Sequence, residues 1–503
     1  MSLKTILLLV LVLLAVAGGV VYYLAGQEPG PLVTFHGPGS IGGGATVFDA
    51  SVEAMGTKLT ALTVRLEQGN QQFPVFSLEA PGDSKFTQET PERMRFAKAL
   101  PARGFQGLKD GTARFVVTAE RKVLFGLRRA ASTTTSDVKV RLTPPTLSVV
   151  STHHYIKLGG AEMIAYHVAP PDTSSGVQVG DRFYPGFPTS GIAGTKTSDP
   201  TLRLAFFALT FDQDTNTPMK LVAHDDAGNV ATAEFDHKTF IDKFHKSRVP
   251  IDDAFLGRVV PAIIQATPDL KLPSGTPEER LQAFLSINGD LRRKNAQFIE
   301  SMAKDTTADL LWRGPFRRMA RAASAAVFAD HRTYAYGDRE IDQQVHLGVD
   351  LASTKGAAVA AANTGRVVFA GFLGIYGNCV IIDHGMGVQS LYAHMSKLDV
   401  EKGDTVQTGE AIGASGMTGL AAGDHLHFTM LVGGRPVNPV EWWDPHWIMD
   451  RIDRKLFEAG VTADAPKLRE EQDGTKPATP RAKSKSAAKP KAPAKTPAKS
   501  KKR

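Results

Sequence analysis

The stretch Gly423-Asp424-His425-Leu426-His427-Phe428-Thr429-Met430 decides how the C-terminal half of this chain is read. Apolar and polar residues alternate along it with period two, so a β-strand places His425, His427 and Thr429 on one face and Leu426, Phe428 and Met430 on the other. One face is then a core surface, and the other is free to carry chemistry. Two histidines alone make an ordinary hydrogen-bonded pair more often than a metal site, so the partners must come from elsewhere.

Upstream, His346-Leu-Gly-Val-Asp350 has the same alternation, with Leu347, Val349 and Leu351 on one face and His346, Gly348 and Asp350 on the other. Residues four apart also meet on a helix, so the pairing of His346 with Asp350 does not depend on the strand assignment. His346, Asp350 and one histidine of His425-Leu-His427 make a two-histidine, one-carboxylate zinc site. Three protein ligands leave a fourth position open, which is the pattern of catalytic and not of structural zinc. His394, in Ser390-Leu-Tyr-Ala-His394, is a third element. If it faces the same cleft, two histidines remain to handle protons near neutral pH, where their ordinary pKa of about 6.5 suits the task.

These motifs, together with Tyr376-Gly-Asn378, Gly403-Asp-Thr-Val406, Gly413-Ala-Ser-Gly416 and Arg435-Pro-Val-Asn-Pro439, resemble the lysostaphin-type (LytM-domain) zinc endopeptidases in order and approximate spacing. That family cuts peptide crosslinks of bacterial cell-wall peptidoglycan, and the resemblance covers roughly residues 312–442. It implies an antiparallel β domain, duplicated-hybrid-motif-like, with its site in a groove suited to an extended peptide. It also implies one Zn2+ held by His346, Asp350 and His427, with His394 and His425 as non-ligating catalytic histidines. Two features depart from the family pattern. Asp424 stands where proline is common, and Val327-Phe-Ala-Asp-His-Arg332 matches only loosely a Phe-Gly-x-Arg segment. Some domains of the family have lost ligands and regulate other wall hydrolases, so a silent or latent binding module is the alternative expectation.

The other histidines read as structural: His384 at a turn, and His331, His446 and His153-His154 on the surface. Trp442 and Trp443 are expected to close the domain edge. The single cysteine, Cys379, excludes an intrachain disulfide and reads as a buried strand thiol.

At 503 residues the chain exceeds what one core holds. Thr5 to Ala25 is free of charge and long enough to span a bilayer, with Lys4 before it and Glu28 after it. An uncleaved anchor over residues 1–26 is expected in preference to a signal peptide cut near Ala15-Val16-Ala17. Lys4 then stays in the cytoplasm and the remainder faces the periplasmic side of the inner membrane. Residues 33–145 and 146–242 read as two immunoglobulin-like β modules, divided near Pro144-Pro145. The Gly37–Gly44 stretch reads as a flexible loop with no phosphate-binding ending. Thr276-Pro-Glu-Glu279 opens a helix with a capping box, inside a helical spacer spanning 243–310. The catalytic domain follows over 311–447, then a short helix and linker over 448–472.

Residues 473–503 form a Lys/Ala/Pro-rich tail that is expected to be disordered. Eleven Lys or Arg and no acid fall in 475–503, so the net charge of +8 becomes −3 without them. The basic charge therefore belongs to a tail and not to a nucleic-acid-binding face. With the anchored topology, anionic envelope polymers are its accessible partners. The fold class expected is thus mainly β: two sandwich-like modules, a helical spacer and the antiparallel domain, behind one transmembrane helix.

Overall fold

The computed structural model describes residues 2–44, 46–54, 58–100 and 105–462. The basic tail and most of the linker before it lie outside the described residues. The described chain is mainly β, with one apolar helix at its N-terminus and a helical stretch in its middle.

The N-terminal helix, Leu3–Ala25, is long and apolar enough to cross a bilayer, and among the described residues only its C-terminal end, at Ala25, is buried. Two sheets follow. One orders Leu32–Gly37, Thr46–Glu53, Arg93–Leu100 and Lys85–Gln88; the other orders Ser40–Gly42, Arg128–Arg141, Gly111–Val123, Leu59–Gln68 and Gln71–Ser77. Their inner faces meet around Phe48, Phe96 and Phe115, whose rings lie 4.8 to 5.5 Å from Phe48. The glycine-rich stretch is not simply a loop, because Ser40–Gly42 pairs in parallel with Arg128–Arg141. Glycine is needed there for close approach: a Cβ on Gly42 would lie 1.8 Å from the Arg141 carbonyl oxygen.

A second pair of four-stranded sheets spans residues 146–233. Its strand Leu202–Leu209 is buried at all eight positions, where a one-sided strand would alternate. The reason is that its outer face meets the C-terminal domain. Phe206 packs on Trp312 and Trp442, and one continuous core runs from this module into that domain. Trp442 is fully buried at this seam. His154, expected on the surface, is buried there as well: Ser151 and the Asp236 carbonyl hydrogen-bond its two ring nitrogens, and burial pushes its pKa down to about 4.

The segment 243–310 is not helical throughout. Lys246–Ile251 is a strand that pairs in parallel with Asp330–Tyr336, and helix Asp253–Ala266 precedes the expected one. Thr276 and Glu279 close the capping box of helix Pro277–Ser286, and the helical path continues through a wide turn and Arg292–Ser301. Leu281, Phe284 and Leu291 face its core.

The C-terminal domain is built on an antiparallel sheet. In spatial order its strands are Ala323–Ala326, Val349–Ala352, Leu426–Val432, Val388–Met395, Asn378–Gly385, Gly365–Phe372 and Thr405–Val406. The central strands Leu426–Val432 and Val388–Met395 are buried along their whole length, so the middle of the sheet is a rigid support. Cys379 is buried in it, and burial pushes its thiol pKa up. Helical turns from Pro445 to Glu458 end the described chain and strap it to the second module. Lys455, 1% exposed, donates to Glu162 at 2.6 Å and to the Met163 carbonyl at 2.8 Å.

Candidate functional site

His346, Asp350 and His427 meet at one point. His346 Nε2 lies 2.9 Å from Asp350 Oδ1 and 2.9 Å from His427 Nδ1, and His427 Nδ1 lies 3.0 Å from the same carboxylate oxygen. The register pairs Asp350 directly with His427 across neighbouring strands. His346 arrives differently from the expected single alternating run. It ends the strand Arg339–His346 of the smaller sheet, and Leu347-Gly348 turns the chain into Val349–Ala352 of the larger one. Gly348 is required at this corner, since a Cβ there would sit 2.5 Å from the His427 ring and from Thr429 Oγ1.

The hydrogen bonds around the triangle fix where its protons lie. The Val327 carbonyl can only accept, so His346 Nδ1, 3.0 Å away, carries the proton and the Nε2 lone pair points inward. Thr429 Oγ1 donates its one proton to the Leu347 carbonyl at 2.9 Å, so it must accept from His427 Nε2 at 3.0 Å. The His427 Nδ1 lone pair then also points inward. Two lone pairs and a carboxylate oxygen therefore converge with no proton among them, an arrangement that repels itself unless a cation sits at its centre. Ligand atoms about 2.0–2.1 Å from a tetrahedral zinc stand about 3.3 Å apart, close to the spacing found. The residues fit the metal, and each histidine has the outer hydrogen bond that orients a ligand.

Electrostatics agree. Burial pushes His427 down to about 4, which keeps its ring neutral as a ligand must be. Burial alone would raise Asp350, but its surroundings of His346, His425 and His427 hold its carboxyl well below the usual carboxylate range. Arg332 donates to Asp350 Oδ2 at 3.2 Å and also pairs with Asp330. The loosely matching Val327–Arg332 segment thus supplies the outer support of a ligand.

His394 and His425 stand beside the triangle with their rings 4.9 Å apart. Each gives its Nδ1 proton to a backbone carbonyl, of Thr418 and Gly423 respectively, both at 2.8 Å. Both leave Nε2 free, and that of His425 is 3.5 Å from Asp350. Alternation does not explain His394. Tyr392, two residues earlier, packs on Phe428 in the core, whereas His394 packs near His427 on the opposite side. The left-handed backbone at His394, φ +61°, turns its ring to the site. Such a conformation costs a non-glycine residue free energy and tends to persist where function needs it. Burial and the neighbouring His425 and His427 hold His394 well below the ordinary histidine value. His425 is raised above it because Asp350 outweighs the effect of burial.

All five residues line one cavity of 570 Å³, within the range of ligand-binding clefts. Ser247, Phe255 and Arg292, from the strand and helices before the domain, wall its far side together with Tyr376. Sequence reasoning missed Ser247, Phe255 and Arg292, and it missed the part played by Thr429, which only its hydrogen bonds disclose. Asp424 is a loop anchor, accepting from Ser415 Oγ at 2.6 Å and from the Gly356 N–H at 3.1 Å. His384 is buried, with Nδ1 on the Thr364 carbonyl and Nε2 on Ser390, and is structural. Among the described residues, His346, Asp350 and His427 are the one group with the spacing of a metal centre.

Comparison with known proteins gives the same domain. Residues 344–439 match the model described as Peptidase family M23. The DD-carboxypeptidase/endopeptidase Mpg of Neisseria meningitidis is 40% identical over 116 residues, 23% of this chain and 27% of that protein. The peptidoglycan DD-endopeptidase ShyA of Vibrio cholerae is 31% identical over 163 residues, 32% and 35% of the two chains. The murein hydrolase activator NlpD of Salmonella typhimurium is 40% identical over 96 residues, 19% and 25%. The chain therefore spans only about a third or less of the length of these relatives. Among solved structures, the lysostaphin catalytic domain of Staphylococcus simulans is 29% identical, covering 24% of this chain and 92% of that one at a TM-score of 0.21. Over residues 344–439 the chain thus carries a LytM-type domain of peptidase family M23.

Proposed function

We propose that this protein is a membrane-anchored zinc metalloendopeptidase that hydrolyses peptide crosslinks of bacterial peptidoglycan. One observation carries the reading: three unprotonated donor atoms converge within 3.0 Å, and two further histidines present free Nε2 atoms to the same cavity. A domain kept only for binding would need neither the converging lone pairs nor the proton-handling pair. Peptidoglycan is the substrate class of the named endopeptidase relative, and the apolar helix Leu3–Ala25 supports anchoring, with the catalytic domain outside the cytoplasm.

His346, Asp350 and His427 would hold one zinc ion, which when bound supplies Lewis acidity at the scissile carbonyl and acidifies water at neutral pH. The rest falls to side chains. With Nδ1 tied to backbone, His394 and His425 can each exchange a proton only through Nε2. One, neutral, accepts a proton at Nε2 as water attacks and passes it to the leaving amine; the other, as the imidazolium, donates its Nε2–H to the developing oxyanion. Arg332 keeps Asp350 ionised and aimed. His427 and His394 stand on strands buried along their whole length, so little reorganisation is needed there as charge develops.

The test is metal content of the purified full-length protein together with product analysis of digested peptidoglycan. One zinc per chain and crosslink cleavage, both lost in His427→Ala, are the expected results. A protein that holds zinc but cuts no wall type would instead be a hydrolase regulator, the reading favoured by its similarity to the NlpD activator.

A further inference from the structure

The hairpin joining Gly111–Val123 to Arg128–Arg141 carries an apolar tip that packing does not explain. Phe125 is 104% exposed and Leu127 73%. Leu124 and Phe125 both have φ +52°, a conformation that hairpin turns normally give to asparagine or glycine. The turn therefore accepts backbone strain and at the same time holds large apolar side chains away from the protein. In water both features cost stability.

Contacts to the N-terminal helix show where this tip lies. Ser132 donates to the Pro31 carbonyl. Arg121 Nε donates to the Pro29 carbonyl at 3.0 Å, and its Nη2 pairs with Glu28 at 3.0 Å. Val123 and Ala130 pack on Ala25. Arg128 donates to the Tyr22 carbonyl at 2.5 Å and lies over the Tyr22 ring at 4.6 Å. From Ser132 to Arg128 the helix partner thus moves from Pro31 back to Tyr22. The hairpin runs down the side of the helix end, and the Arg128 guanidinium reaches the last helical turn, lying against Gly26 and the Tyr22 carbonyl. Residues 124–127 continue beyond that level. Tyr22 and Tyr23 are exposed beside them, as aromatic residues are at a membrane interface. Lys122 and Arg128 flank the tip; Arg129 also does so, though paired with Glu120.

We infer that the Leu124–Leu127 tip is a second membrane contact, with Phe125 and Leu127 among the acyl chains and Lys122 against headgroup phosphates. This rests on the anchoring proposed above. Two contacts on one module fix its tilt to the bilayer, which a single helix cannot do.

The test uses the full-length chain in phosphatidylethanolamine and phosphatidylglycerol vesicles. An environment-sensitive fluorophore is placed singly by Phe125→Cys, Leu127→Cys, Leu11→Cys and Lys109→Cys; native Cys379 is buried and unreactive. Lys109 is exposed two residues before the far end of the same 13-residue strand, Gly111–Val123. Expected are blue-shifted emission and quenching by chain-labelled lipid at Leu11, Phe125 and Leu127, and neither at Lys109. Quenching at Leu11 with tip probes that behave like Lys109 overturns the inference and leaves the anchor intact; the tip would then face water or another protein. No quenching at Leu11 removes the anchor and the inference with it.

Discussion

Gly348→Ala places a methyl group where the site has no room for one. Gly348 does not use a left-handed backbone, so alanine costs it nothing in φ and the effect is purely steric. The new carbon would stand 2.5 Å from Cε1 and Nε2 of His427 and from Thr429 Oγ1. Carbon contacts settle near 3.5 Å, so these groups must move by about 1 Å. Metal sites tolerate deviations of about 0.2 Å. His427 cannot retreat along its strand, which is paired on both sides and buried throughout. The displacement is therefore taken up at its Nδ1. A loss of zinc affinity of about 100-fold or more is expected, with a destabilisation of about 1–3 kcal/mol from overpacking. Competition with a chromophoric chelator measures the first and thermal unfolding the second. Gly423→Ala is the control, because its added Cβ would meet nothing within 4 Å. Gly348→Ala holding zinc as tightly as wild type, while Gly423→Ala does too, would refute the assigned geometry.

Further outcomes follow from the same structure. Thr429→Val removes the acceptor that keeps His427 Nδ1 unprotonated and should weaken zinc binding about 10–100-fold by chelator competition, whereas Thr429→Ser should retain it. Lys455→Met leaves buried Glu162 with the more distant Arg451, at 3.7 Å, and should cost about 3–5 kcal/mol, read as a lower melting temperature that Glu162→Gln partly restores. Burial, with Glu162 nearby, pushes Glu441 from 4.5 up to about 8, so it is protonated in the folded protein at neutral pH. Its folded pKa is the higher one, so the stability it confers is complete below about 4.5 and declines by about 1.36 kcal/mol per pH unit until the pH passes about 8. Melting curves of Glu441→Gln between pH 5 and 9 should be flatter than wild type; parallel curves would show that the carboxyl is solvated.

The chemistry was more legible in the sequence than the geometry that supports it. Period-two alternation places His427 and Thr429 on one face, and that face is where they lie. The pairing of Asp350 with His427 joins strands 77 residues apart, and nothing local encodes it. His346 and Asp350 do meet, but across a corner between two sheets and not along one strand. His394 reaches the site through a left-handed residue, which overrides the alternation that Tyr392 would impose. The helix after Thr276 was readable because its cap is local. Lys246–Ile251 was not readable, since it becomes a strand only by pairing with residues far along the chain. His154 reads as a surface residue in the sequence because its partners, Ser151 and Asp236, converge only once the module has folded.

The continuous core between the second module and the M23 domain bears on how such proteins can be recombined. Phe206 must find Trp312 and Trp442, and Glu162 must find Lys455 across 293 residues of chain. A related catalytic domain grafted between the same chain ends would bring intact ligands and a mismatched key. It would leave an apolar face and a buried carboxylate without partners. Exchange of this domain is therefore expected to move the second module, the domain and the C-terminal strap as one cassette.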